Sequence, residues 1–252
     1  MQESALIEAV SQGIPESWTW QAGLRRPNEP NVFCCGVLIG SSWVLTAGNC
    51  VYVMKDFVPT PLIEVIIGEK DLRNKDGVAS NVTEVFLHNK YDPDTQDYDF
   101  ALLRLADPVE QGPLMYIRPV KLPPEQLDFE SGTVCFVSGY RAPKPGNNSF
   151  KKLITVQVPI ASDYACKKAY QDRTITARMF CAGFEEGNAV ACQGDGGGPL
   201  VCKDGNNWYL KGLVSWGRGC VVPGSYGVYA NIKKAMKWIE KITGLSGDEP
   251  EH

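Results

Sequence analysis

Nine cysteines and two histidines are the side chains whose spacing most directly limits the chemistry open to this 252-residue sequence. The cysteines are Cys34, Cys35, Cys50, Cys135, Cys166, Cys181, Cys192, Cys202 and Cys220, and the histidines are His88 and His252. A structural zinc site needs four soft ligands, usually with two cysteines held close together as Cys-x-x-Cys. No pair here has that spacing, and two distant histidines do not complete a set, so no metal site is expected. A disulfide framework formed in an oxidising compartment is the better account. The odd count leaves one thiol over. The sequons Asn81-Val82-Thr83 and Asn147-Asn148-Ser149 agree with a secreted glycoprotein.

The elements that must hold these residues read mainly as strands. Ile154, Val156 and Val158 alternate with Thr155 and Gln157, the period of a half-buried strand. Further strands are expected at 42–46, 62–67, 100–105, 133–138 and 208–216, separated by turn clusters such as Asn74-Lys75-Asp76-Gly77. Only two stretches read as helical. Ser162 can cap a short helix running to Tyr170. The stretch 232–242 places Ile232, Ala235, Met236 and Ile239 on one face, with Gly244 as a stop. Regular short strands with turns between them predict an all-β sandwich or barrels. A formal net charge of -4 argues against a general nucleic-acid binder. No apolar run is long enough to span a bilayer as a helix. Residues 1–10 lack the basic and then apolar pattern of a secretory signal.

Three groups of motifs carry a resemblance. Ser17-Trp18-Thr19-Trp20-Gln21, Phe33-Cys34-Cys35-Gly36-Val37-Leu38-Ile39 and Trp43-Val44-Leu45-Thr46-Ala47-Gly48-Asn49-Cys50 come first. Asp97-Tyr98-Asp99-Phe100-Ala101-Leu102-Leu103 follows. Cys192-Gln193-Gly194-Asp195-Gly196-Gly197-Gly198-Pro199, Gly212-Leu213-Val214-Ser215-Trp216-Gly217 and Gly227-Val228-Tyr229 complete the set. In order and spacing they resemble the trypsin-like serine proteases over residues 7–244. That resemblance implies two six-stranded antiparallel β-barrels with a cleft between them and a C-terminal helix. Residues 1–6 are then an N-terminal extension and 245–252 an acidic, disordered tail. The family's pairing implies Cys34–Cys50, Cys135–Cys202, Cys166–Cys181 and Cys192–Cys220. Cys35 is left over, as a buried inert thiol or as a bridge to a second chain.

The family's mechanism needs a hydroxyl nucleophile, an imidazole that takes its proton and a carboxylate that orients the imidazole. By resemblance the carboxylate position is Asp99, the histidine position is Asn49 and the nucleophile position is Gly196. An amide is not a general base near neutral pH, and glycine has no side chain to attack with. His88 lies on a segment that the family places away from the cleft, and His252 ends the chain. Cys35 lacks the paired imidazole that would keep it ionised. Backbone amides of Gly194 and Gly196 correspond to the oxyanion hole. The activation segment corresponds to Ile7-Glu8-Ala9-Val10, without the usual glycines and without a preceding basic residue. Asp195 is therefore expected in a zymogen-like or rewired pocket, or satisfied by backbone donors. The specificity pocket corresponds to Val190, Ser215, Gly217 and Gly227, uncharged at its base and either open to an apolar side chain or collapsed. Tyr226 stands at a position the family associates with sodium binding.

These departures imply a secreted, catalytically inactive homologue that needs no cofactor and acts by binding an extracellular protein: a protease, zymogen, inhibitor or receptor. The protease-like domains of arthropod clip-domain homologues, cofactors in immune cascades, are similar. An inhibitor-binding decoy or growth-factor-like ligand is the alternative, and an enzyme with a substitute nucleophile the third reading. No nucleic acid or membrane partner is expected.

Overall fold

The computed structural model describes residues 18–74, 76–110, 117–141, 152–186, 195–219 and 222–247. The first six-stranded sheet is a closed barrel with strand order β1-β2-β3-β8-β7-β6. Its members are β1 (Gln21–Arg25), β2 (Val32–Gly40), β3 (Trp43–Thr46), β6 (Glu64–Ile67), β7 (Val78–Leu87) and β8 (Ala101–Leu105). Between β3 and β6, β4 (Tyr52–Val53) and β5 (Asp56–Phe57) form a separate small hairpin. Leu24, Leu38, Leu45, Ile67, Leu102 and Leu103 are fully buried members of one core cluster on the two faces of this sheet. Closure leaves the barrel no free edge to pair with another chain.

The second sheet is also six-stranded and antiparallel, with order β10-β9-β12-β13-β14-β11. It comprises β9 (Val134–Arg141), β10 (Lys152–Pro159), β11 (Met179–Ala182), β12 (Pro199–Asp204), β13 (Asn207–Trp216) and β14 (Gly227–Asn231). Its two edges meet through an isolated bridge, Ile160 with Ala182, flanked by hydrogen bonds from Ala161 N–H to Cys181 O and from Gly183 N–H to Pro159 O. The expected strands at 42–46, 62–67, 100–105, 133–138 and 208–216 correspond to β3, β6, β8, β9 and β13.

Helix α1 (Asp163–Ala169) is capped by Ser162, whose Oγ accepts the Ala165 N–H at 3.1 Å. The helix expected over 232–242 is instead broken. Ile232–Lys234 is a 3₁₀ turn, in which Asn231 Oδ1 accepts the Lys233 N–H, and α2 (Met236–Thr243) begins after Ala235. Gly244 ends α2 with φ 76°. Residues 245–247 of the expected tail are described, and 248–252 lie outside the described residues. The side chain of Leu245 packs on Gly40, and the residues through Gly247 belong to the folded unit. Because α2 buries Ile239 in the core shared with the first barrel, the end of the chain fastens the two halves together.

Cross-links between the halves fix the cleft. Cys35 N–H donates to Gly196 O at 2.7 Å, Ser138 Oγ to Gln21 Oε1 at 2.6 Å, and the Tyr140 hydroxyl to Glu69 O at 2.7 Å. Three disulfides are present among the described residues: Cys34–Cys50, Cys135–Cys202 and Cys166–Cys181. Cys192 and Cys220 lie outside the described residues.

Candidate functional site

The site is assembled from three backbone devices. A 3₁₀ turn, Gly48–Cys50, follows β3 and is tied to β2 by the Cys34–Cys50 bridge, so Asn49 is held from both sides. Asp99 enters from the segment before β8, behind Tyr98 at φ 51°. Ser215 comes from a bulge in β13: Val214 pairs with Tyr229 and Trp216 with Val228, which leaves Ser215 as the extra residue.

These devices bring Asn49, Asp99 and Ser215 together around one buried carboxylate. Asp99 is 0 % exposed. Its Oδ1 accepts the Asn49 backbone N–H at 2.8 Å, and its Oδ2 accepts Asn49 Nδ2 at 2.9 Å and the Ser215 hydroxyl. The second N–H of the Asn49 amide donates to Ser215 O at 2.9 Å. An asparagine amide has two donors, and both are engaged here. What remains is its weakly basic carbonyl oxygen, which does not take a proton near neutral pH.

Burial pushes the Asp99 carboxyl up to about 6, against hydrogen bonds from Ser215 and from the backbone of Asn49 and Gly48 that favour the anion. With the folded value above the unfolded one of 3.8, the native state holds the proton more tightly. The stability from this group is fully present below about pH 4 and is lost as pH rises through about 6. The expected loss is about 3 kcal/mol. Urea unfolding of wild type and Asp99→Asn should show it as a destabilisation by the substitution that shrinks between pH 4 and pH 7. A gap that widens with pH would overturn the assignment.

Gly196 is adjacent. Its carbonyl accepts the Cys35 N–H and lies 3.5 Å from Cys50 Sγ, one residue from Asn49. Among the described residues, a Cβ added at Gly196 would meet only Cys34 Sγ, at 3.8 Å. Cys35 is buried at 0 % exposure and forms none of the three bridges, a setting that suits an inert thiol rather than a bridge to a second chain. Asp195 is also 0 % exposed; it packs against Gly139, and its carbonyl accepts the Gly198 N–H at 2.7 Å.

Gly217 and Gly227 are neighbours across β13 and β14: a Cβ on Gly217 would lie 3.5 Å from Tyr226 O and 3.9 Å from Gly227 Cα. Val190 and Gly194, which by resemblance correspond to the base of the pocket and half of the oxyanion hole, lie outside the described residues, as do residues 7–10 and Asn147. Asn81 is exposed on β7. His88 is 6 % exposed, stacked on Tyr98 with ring centres 4.7 Å apart and packed against Trp238, and its Nδ1 accepts the Lys90 N–H. Burial first, then Lys90, pulls its pKa below the usual histidine range, and its ring is engaged in the core.

Two features of the site were not anticipated from sequence. The Ser215 hydroxyl is a ligand of Asp99, because the bulge turns it inward. Beside it, the Arg173 guanidinium lies 3.9 Å from the Trp216 ring centre, and Arg218 lies 5.1 Å from that of Tyr170. Tyr170 and Trp216 meet edge to face at 4.8 Å. One face of the Trp216 indole is therefore covered by a cation.

Comparison with known proteins places this geometry. The family model described as trypsin matches residues 9–239. Coagulation factor XI of Bos taurus is 32 % identical over 241 residues, which covers 94 % of this chain and 38 % of that protein. The atrial natriuretic peptide-converting enzymes of Mus musculus and Homo sapiens are each 36 % identical over 233 residues, 90 % of this chain and 20 % and 21 % of theirs. The chain thus spans between 20 % and 38 % of the length of these curated relatives.

Proposed function

The chain belongs to the trypsin family, and from that premise we propose that it is a secreted, non-proteolytic member that works by binding other proteins. The observation that carries this reading is the Asn49 amide, with both N–H groups engaged between Asp99 and Ser215 O, beside a glycine at 196. In a protease of this chemistry, removing the nucleophile or the base alone costs about 2 × 10⁶ in turnover. Binding and an oxyanion hole by themselves leave about 10³–10⁴ over water, too little for useful proteolysis.

The domain we assign to this role is residues 7–244. The exposed Asn81 is its glycan site among the described residues. Three disulfides suit an extracellular setting. A rigid double-barrel scaffold with variable loops is suited to recognition, and loops usually carry it. The role we assign is regulator or cofactor in an extracellular proteolytic cascade, with innate immunity as one such setting.

Affinity capture from the source's extracellular fluid tests this role, with the wild-type chain and a variant scrambled at loops 52–57 and 171–175 as baits. Enrichment of a protease, zymogen, inhibitor or receptor by the wild type alone is the expected result. Equal recovery on both baits would overturn the loop-mediated role.

A further inference from the structure

Strand β13 has a second bulge besides the one at Ser215. Leu200 pairs with Gly212 and Val201 with Leu210, which leaves Lys211 as the extra residue. A bulge re-aims the side chain of its extra residue. At Ser215 this produces a ligand for Asp99. At Lys211 it produces a lysine only 6 % exposed, within the buried run 210–215 of the strand. A buried ammonium is costly unless its donors are engaged.

Lys211 Nζ donates to Asp128 Oδ1 at 2.5 Å and sits 5.3 Å from the Phe180 ring centre. An ammonium has three donors. Among the described residues the bond to Asp128 is the hydrogen bond it makes, and the ring face gives a weaker second contact. Lys211 lines a cavity of about 480 Å³, apart from Asn49, Asp99 and Gly196. The volume falls within the usual range for small-molecule sites.

Phe129, Ile160 and Met179 give the cavity an apolar side. Four charged residues line it, Asp128, Asp163, Lys167 and Lys211; their charges sum to zero, and Lys211 is the buried one. Asp128 faces two ammonium groups, Lys211 and, at 4.0 Å, Lys233. Asp163 and Lys167 of α1 offset each other. We propose that this cavity binds a monocarboxylate with an aryl or aliphatic body. The carboxylate accepts from Lys211 Nζ, and the body lies against Phe129, Ile160 and Met179. The ligand is either a free acid or the carboxyl terminus of a peptide.

Calorimetric titration of the whole chain tests this with 4-phenylbutyrate, N-acetylphenylalanine and the primary amide of each. At least one acid should bind with a dissociation constant of about 1 mM or tighter, and its amide at least about tenfold more weakly. Tighter binding of N-acetylphenylalanine would identify a peptide terminus, and tighter binding of 4-phenylbutyrate a free acid. Lys211→Met should weaken binding at least about tenfold. Ala177→Trp, which fills the cavity from its exposed rim and keeps the lysine, should do the same and serves if Lys211→Met does not fold. Acid and amide binding alike, no saturable binding of either acid, or wild-type affinity in Ala177→Trp would overturn the proposal.

Discussion

Asn49→His combined with Gly196→Ser is expected to raise hydrolysis of an activated ester by at least about a thousandfold over wild type, while each single change stays at background. The site already has the geometry for both groups. Asn49 Nδ2 stands 2.9 Å from Asp99 Oδ2, where an imidazole N–H would donate, and the Ser215 hydroxyl donates to the same oxygen. At 196 an added Cβ has its nearest neighbour among the described residues at 3.8 Å. A serine without a base and an imidazole without a nucleophile are each inert, so the two changes act as a unit and their effects do not add. The gain should fall short of the roughly million-fold value of an intact site, because the 7–10 segment and Val190 depart from the family pattern as well. Steady-state ester hydrolysis by the four proteins checks this. Full rescue by either single change would show that a different group supplies the missing function.

Gly197→Ala is expected to cost about 4 kcal/mol of stability, at the upper end for a single substitution. Gly197 has φ 78°, and a Cβ there would stand 2.2 Å from Thr46 Oγ1 and 2.4 Å from Cys35 O. Neither neighbour is a loose chain end: Thr46 Oγ1 is itself donating to Cys35 O at 2.6 Å. The melting temperature should fall by roughly 8–16 °C. Gly132→Ala is the matched control. It has φ 89° with nothing within 4 Å of an added Cβ, so it should cost only the roughly 1–2 kcal/mol of left-handed backbone. Equal effects in thermal unfolding would show that the contacts at Gly197 relax and that the backbone angle alone matters.

The parts of this molecule legible in its sequence are those with strong local patterns. Alternation placed β10, and a serine cap placed the start of α1. Elsewhere the pattern was hidden. In β7 the inward position 80 is a serine rather than an aliphatic residue, which breaks the apolar alternation while the residue stays buried. The β4–β5 hairpin turns at Met54 and Lys55 with φ 54° and 66°, where such a turn usually announces itself with Asn-Gly. The 3₁₀ turn before α2 was hidden because Ile232 and Ala235 continue the apolar face of the helix.

At the site, residue types told more than pattern did. Asn49, Asp99 and Gly196 were identifiable by resemblance, but the shared geometry of Asn49, Asp99 and Ser215 depends on strand register. Both bulges of β13 are properties of pairing with β12 and β14, so neither the inward hydroxyl of Ser215 nor the buried ammonium of Lys211 could be read from β13 alone. A lysine within an otherwise apolar run was the visible sign of the cavity that Lys211 lines.

Active-site titration of the wild-type chain with a chromogenic acylating ester, followed by intact-mass analysis, decides whether the chain carries a working nucleophile. With Asn49 and Gly196 in place of base and nucleophile, no burst approaching one equivalent and no acyl adduct are expected. A stoichiometric burst with a single acylated residue would contradict this expectation, and the position of that adduct would identify the nucleophile.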